Sequence, residues 1–352
     1  MARARESVVD IQGKQLRLSN LDKVLYPQAG FTKAQVIDYY VRISPVLLPH
    51  LRDRPLTMKR YPEGVEAGFF YEKNCPSHRP PWVQTAPVWS DGNQRWMKYC
   101  LIQDLPTLVW AANLADLELH TSLSRGNEIL CPTVIVFDLD PGEPANIVQC
   151  CMAGLALRRV FAHFGMQSFP KTSGSKGLQI YVPLNTPVTY QETKSFAQEL
   201  ARALERTRPD LVVSEMKKSL RTGKVFIDWS QNDDHKTTVC VYSLRAKESP
   251  TVSTPVTWEE VEACRSRQDF RRLVFTSDQV LERVESHGDL FAPVLKLKQR
   301  LPELQALKAP ALSLEAAFAE HHPGQAAKSG TSKPDARRKR AKGVRPKRQH
   351  AA

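Results

Sequence analysis

Asp138 and Asp140 stand two residues apart in VIVFDLDPGE (134–143), after four apolar residues and just before a Pro-Gly break. In a β-strand, residues two apart share a face, so both carboxylates point one way and Leu139 the other. Close carboxylates repel, and a proton or a cation must offset the charge. Their hard oxygens suit Mg²⁺ or Mn²⁺. For this pair alone, the alternative is a strand-end turn in which one Asp bonds the local backbone.

A third acidic residue, Asp228, sits in the apolar, β-rich run KVFIDWSQN. Buried carboxylates are unusual unless paired or metal-bound. Three carboxylates from two strands would meet the needs of a two-metal site for phosphoryl displacement. The alternative is an Asp paired with Lys224 or Lys236 at a strand rim. KTSGSKG (171–177) offers small residues and consecutive N–H groups that can cradle an anion, with Ser173 and Lys176 adding a donor and a charge. It lacks the Walker pattern, and taken alone it reads as a plain hairpin turn. Lys217, Lys218, Arg221, Lys224 and Arg245 bracket Asp228 in the chain and could clamp a phosphate; a solvated charged face is the plainer reading.

Cys75 and His78 have zinc-like spacing but no second pair nearby, so no metal is expected there. His120 is a lone histidine. Phe69, Phe70 and Tyr71 suit either a core or a base-stacking platform beside a basic groove.

The elements that must position these groups alternate irregularly. A hairpin is expected around Gly13, then a helix capped by Thr32 and ended or kinked at Pro45. A helix over LPTLVWAANLA leads into DLELH, and a long apolar helix closed by Gly165 follows the Asp pair. A hairpin turning at 174–177 comes next, then an amphipathic helix at 190–207, two strands, KVFIDWSQN and TTVCVYSLR, and a helix capped by Thr257. Short turns between strands predict a mixed α/β (α+β) fold with a largely antiparallel sheet.

The 352 residues carry 50 basic and 37 acidic side chains, a net +13, of which nine lie from Lys328 onward (ten Lys/Arg against one Asp). The reading is a catalytic domain over 1–305 and a flexible basic tail over 306–352, a tether to phosphate backbones or a simple solubility tail. The chain opens polar and has no apolar run near membrane-spanning length. Seven cysteines without a regular framework suggest unpaired thiols in a reduced cytoplasm.

In this order, NLDKVLYP, RPLTMKRYPEG, FFYEKN, LELH, VFDLDPGE, KTSGSKGLQIYVPL, KSLRTGKVFIDWSQN and KTTVCVYSLR resemble the polymerase domain of bacterial ligase D, in the archaeo-eukaryotic primase superfamily. The resemblance spans about residues 8–300. It implies a primase-type core with an RRM-like sheet, a second packed sheet and flanking helices. It also implies template-directed nucleotidyl transfer in end joining or short-gap repair, by a stand-alone primase-polymerase favouring ribonucleotides and Mn²⁺. By residue, it makes Asp138, Asp140 and Asp228 the ligands of two Mn²⁺ or Mg²⁺ ions, and His120 an active-site residue. Ser173, Lys176, Arg221 and Arg245 match positions at the phosphates of a nucleoside triphosphate. Lys23, with Lys14 assisting, matches the site for the 5′-phosphate of gapped or broken DNA. Phe69 and Phe70 match a template-stacking segment. Gln179 departs from the pattern: the family commonly has His there, and Gln can donate to a phosphate but cannot carry charge.

The expected mechanism has the primer 3′-hydroxyl attack the α-phosphorus while pyrophosphate leaves, at a pair of ions bridged by Asp138 and Asp140. A separate ligase and an end-binding protein would be partners in a bacterial, nucleoid-associated setting. Two rivals stand beside it. A D-x-D phosphatase would need Thr or Ser in the loop where Pro141, Gly142 and Glu143 stand. A catalytically weakened nucleic-acid-binding module would have Gln179 as its first sign.

Overall fold

A computed structural model describes residues 6–308 and 313–319. Two sheets lie at its centre. The first has five strands in the order Phe169–Thr172, Leu178–Pro183, Val134–Pro141, Val225–Asp228, Val212–Val213. Only the last pair is parallel. The second runs Thr238–Val239, Asp116–Thr121, Leu56–Arg60, Arg95–Cys100, Thr85–Ser90, with Phe70–Glu72 also paired to Leu56–Arg60. The expected mixed, largely antiparallel architecture is what forms.

The apolar run of Val134–Pro141 has a specific cause. Ile135, Phe137 and Leu139 enter a core with the helices Ile147–His163 and Tyr190–Thr207. Val134 and Val136, on the other face, enter a second core with the six-stranded sheet and the helices Lys33–Leu51 and Leu105–Asn113. The strand is therefore apolar on both faces until residue 137. The face of Val134 and Val136 then continues as Asp138 and Asp140, where the sheets diverge into a cleft.

Four expectations need correction. The Thr32-capped helix passes through Pro45 and Pro49 to Leu51. Pro45 cannot donate to the Val41 carbonyl, and the neighbouring Ser44 hydroxyl donates to it at 2.8 Å instead. Buried Ile43, Leu47 and Leu51 hold the helix to its core. TTVCVYSLR is not one strand. It breaks at Tyr242 (φ +65°), so Thr238–Val239 pairs with His120 and Thr121 while Leu244–Ala246 pairs with Pro250–Val252. Cys75 and Cys100 form a disulfide with Cα atoms 5.0 Å apart, because the Cys75 amide bonds Lys98 O and lays the segment along the strand. The other five cysteines are free. Finally, the compact body continues past residue 305 to Phe318. Leu307 and Ala317 are buried in the core of the first sheet, and Arg159 donates to Ala317 O at 2.6 Å. The basic run from Lys328 lies outside the described residues.

Candidate active site

The cleft between the sheets has a volume of about 850 Å³. Strand register places the acidic residues. Asp138 lies directly opposite Asp228 on one side and Gln179 on the other, with Asp140 two residues along on the same face. Three of the sequence-predicted ligands thus meet on neighbouring strands. Asp228 is held by a tight turn: its Oδ1 accepts from the Ser230 amide (3.0 Å) and hydroxyl (2.6 Å), and its Oδ2 from Gln231 Nε2 (3.1 Å).

Burial, then the Asp140 and Asp228 carboxylates, push Asp138 up to about 7, against a Gln179 hydrogen bond and the Lys171 charge. Asp140 is also raised, by desolvation and by Asp228, while Arg221 and Arg245 pull it down. Asp138 Oδ1 is buried without a hydrogen-bond partner. An orphaned carboxylate oxygen among three acids is the donor set a hard divalent cation takes.

Gln179 lines the cleft as expected, but its side chain is engaged within the protein. It is buried, its Oε1 accepts from Lys171 Nζ (2.5 Å), and its Nε2 donates to Thr238 Oγ1 (3.2 Å). The cation behind the Asp pair is Lys171, fully buried, which also donates to Ser253 Oγ (2.7 Å). Burial lowers its pKa and Asp138 opposes that.

The 171–177 turn packs against the acidic strand. The Ser173 hydroxyl oxygen accepts from the amides of Ser175 (3.2 Å) and Gly177 (3.0 Å), which leaves its O–H to donate into the cleft. Arg245 donates to Ser173 O. Arg221 lies 3.7 Å from the Phe226 ring centroid and donates to Met216 O (2.7 Å). Lys217 and Lys218 are exposed outside the cleft lining, so the solvated-face reading holds for them.

Lys176 forms an exposed ion pair with Glu143 at 2.5 Å. An anion must displace Glu143 to engage it. Exposed pairs contribute little, so Glu143→Gln is expected to tighten binding of inorganic triphosphate by about 2–5-fold in calorimetry.

His120 lines the cleft, and its Nε2 lies 3.0 Å from Glu118 Oε2. Burial holds its pKa below the ordinary imidazole value against the pull of Glu118. Phe69 and Phe70 are exposed beside the cleft rather than in its lining, with Lys59 over Phe69 (4.4 Å) and Arg60 over Phe70 (5.1 Å). Lys14 and Lys23 are not part of the cleft lining. Lys14 pairs with Asp104 (2.5 Å), the cap of the Leu105–Asn113 helix. Lys23 pairs with Glu63 (2.7 Å), next to Lys33. The sequence reading missed Lys171, Gln231 and Glu118. Alternation puts Glu118 on the face of His120, the signal that found the Asp pair. At the rim, Asp233, Asp234 and His235 cluster, but Asp233 is paired with Lys194 (2.5 Å) and His235 with Asp91 (3.0 Å). No helix of the described residues is long and apolar enough to cross a membrane.

A family model described as "LigD, primase-polymerase domain" matches residues 32–291. The multifunctional non-homologous end joining protein LigD of Mycolicibacterium smegmatis is 42% identical over 283 residues, covering 80% of this chain and 36% of that protein. The bifunctional LigD of Bacillus subtilis is 34% identical over 274 residues, covering 78% and 43%. A solved polymerase domain of Mycobacterium tuberculosis ligase D in complex with DNA superposes with a TM-score of 0.74 at 39% identity, covering 81% of this chain and 99% of that one. The chain spans well under half the length of these curated relatives.

Proposed function

The chain belongs to the LigD primase-polymerase domain family, and on that premise we propose that it adds nucleotides to a primer opposite a template, filling gaps in end joining or short-gap repair. The observation that carries this reading is that Asp138 and Asp140 line one cleft with Ser173, Lys176, Arg221 and Arg245, while strand register sets Asp228 directly opposite Asp138. The M. tuberculosis domain was solved in complex with DNA, which supports DNA as the substrate class here.

Asp138, Asp140 and Asp228 would hold the divalent ions, Mn²⁺ or Mg²⁺. Bound there, the ions would offset carboxylate repulsion and act as Lewis acids on the reacting oxygens. The rest follows from the chain's own groups. Arg221 and Arg245 face Asp140, where they offset charge on the triphosphate. Ser173 donates its O–H to a phosphate oxygen, and Lys176 exchanges Glu143 for one. The primer 3′-oxygen bonds the α-phosphorus as the bond to pyrophosphate breaks. Phe69 and Phe70, with their cations, supply a face on which template bases stack. Lys23 exchanges Glu63 for the 5′-phosphate across the gap. Ribonucleotides are the preferred substrate, and a ligase and an end-binding protein are the partners of the pathway.

The test is extension of a primer on a 5′-phosphorylated gap with rNTPs and dNTPs in Mg²⁺ and Mn²⁺. Templated addition, fastest with rNTPs in Mn²⁺, is expected. Absence of templated addition under all four conditions would overturn the reading.

A further inference from the structure

Glu118 is itself almost without exposure, 2% for the side chain, yet its carboxylate meets four hydrogen-bonding partners and lies against the Arg245 guanidinium. Oε2 lies 3.3 Å from Lys59 Nζ, 3.0 Å from His120 Nε2 and 3.2 Å from Arg245 Nε. Oε1 accepts from the Tyr61 hydroxyl (3.3 Å) and the Ala246 amide (3.1 Å). A lone buried carboxylate is costly, and only such a ring of donors keeps it charged. Burial would raise its pKa, but His120, Arg245 and Lys59 hold it well below the usual carboxylate range.

Each charged partner leads to a different part of the site. His120 and Arg245 line the cleft. Arg245 also donates to Ser173 O, tying the carboxylate to the 171–177 turn. Lys59 sits among the rings of Tyr61, Phe69 and Tyr71, at 5.4, 4.4 and 5.7 Å. Because His120 presents Nε2 to a carboxylate, a neutral ring carries its proton there and its lone pair on Nδ1. We propose that Glu118 is a positioning residue for nucleotidyl transfer, one buried anion that holds Lys59, His120 and Arg245 in register with the nucleotide turn and the aromatic face. The proposal rests on the polymerase reading. Without the anion the Lys59 and Arg245 cations repel each other and drift, and the His120 ring loses the acceptor that orients it. Lys176 and Arg221 do not touch Glu118, so capture weakens only through Arg245, and loss of Glu118 acts mainly on the rate of the bond-making step.

The experiment is single-turnover extension of a 5′-phosphorylated gap by the wild-type protein, Glu118→Gln and Glu118→Asp. In Glu118→Gln the rate constant should fall on the order of 10²-fold, as misplacement of catalytic groups by an ångström does, with the half-saturating nucleotide concentration within about 3-fold of wild type. Glu118→Asp keeps the buried charge and the fold but retracts the carboxylate, and should lose about 10-fold. A structural role alone would lower the amplitude and leave the rate constant at its wild-type value; that result, or a wild-type rate constant in Glu118→Asp, overturns the proposal. A large rise in half-saturation at constant rate overturns it as well. If the wild-type protein itself extends nothing, the polymerase reading fails and this proposal falls with it. Wild-type extension with unaltered variants sinks the Glu118 role alone.

Discussion

Replacing Asp138 and Asp140 together with Asn is expected to abolish primer extension, by at least ~10³-fold, while making the metal-free protein more heat-stable. Both effects come from the same charges. The carboxylates that would hold divalent ions repel each other and Asp228 when no ion is present. Asp138 has a raised pKa in the fold, so the folded state binds its proton more tightly than the unfolded chain does. The stability that follows is full below the unfolded value near 4 and is lost as the pH rises through about 7. Asn has no such titration. In chelator, the double variant should therefore gain about 1–3 kcal/mol over wild type at pH 8 and almost nothing at pH 4. Partial exposure of both side chains puts the gain toward the lower end. Thermal unfolding at the two pH values reads this directly, and gapped-DNA affinity in the same buffer should change by less than about 2-fold if Lys23 and the Phe69–Phe70 face hold the DNA as proposed. A double variant that still extends primers, or that melts earlier than wild type at pH 8, would contradict the assignment of these residues.

A single methyl group at Gly142 should do nearly as much damage by steric means. Gly142 follows the Asp pair after Pro141 and lies against the Arg221 loop: its amide donates to Lys224 O (2.8 Å), and its carbonyl accepts from the Gly223 amide (3.0 Å). A β-carbon there would sit 2.6 Å from the Arg221 carbonyl carbon and 2.9 Å from its Cβ. Backbone cannot rotate aside, so the loop must move away and take the Arg221 guanidinium with it. Gly142→Ala is expected to cost about 1–3 kcal/mol in urea unfolding, as overpacking does. Its kcat/KM should fall on the order of 10²-fold. Gly92→Ala, where a β-carbon meets nothing within 4 Å, is the control and should match wild type in both measurements. Equal behaviour of the two variants would mean the Arg221 loop is not held by this contact.

Alternation alone was enough to see that Asp138 and Asp140 share a face, and the apolar run before them marked a central strand. The same rule applied to LELH would have paired Glu118 with His120. A Glu beside a lone His carries no mark of the two cations that also surround it in space. Lys171 was invisible for a related reason: a lysine in a Gly/Ser-rich turn reads as solvated, and only the neighbouring strand and Ser253 show it to be buried. The proline in the first long helix misled because its remedy, the Ser44 hydroxyl on Val41 O, is a side-chain detail. The break at Tyr242 comes from partners on two different strands, and the Cys75–Cys100 pair from segments 25 residues apart. Short-range rules read elements well; they do not read which distant segment will answer an unpaired group.

The Val134–Pro141 strand enters one core with its odd residues and another with its even ones before the carboxylates emerge. A slip of one residue during assembly would drive Asp138 and Asp140 under the helices and turn Phe137 and Leu139 toward water. Such a chain would be too unstable to accumulate. Quality control of the fold and of the chemistry therefore coincide in this strand, because an error that disarms the site also exposes the chain to unfolding and proteolysis.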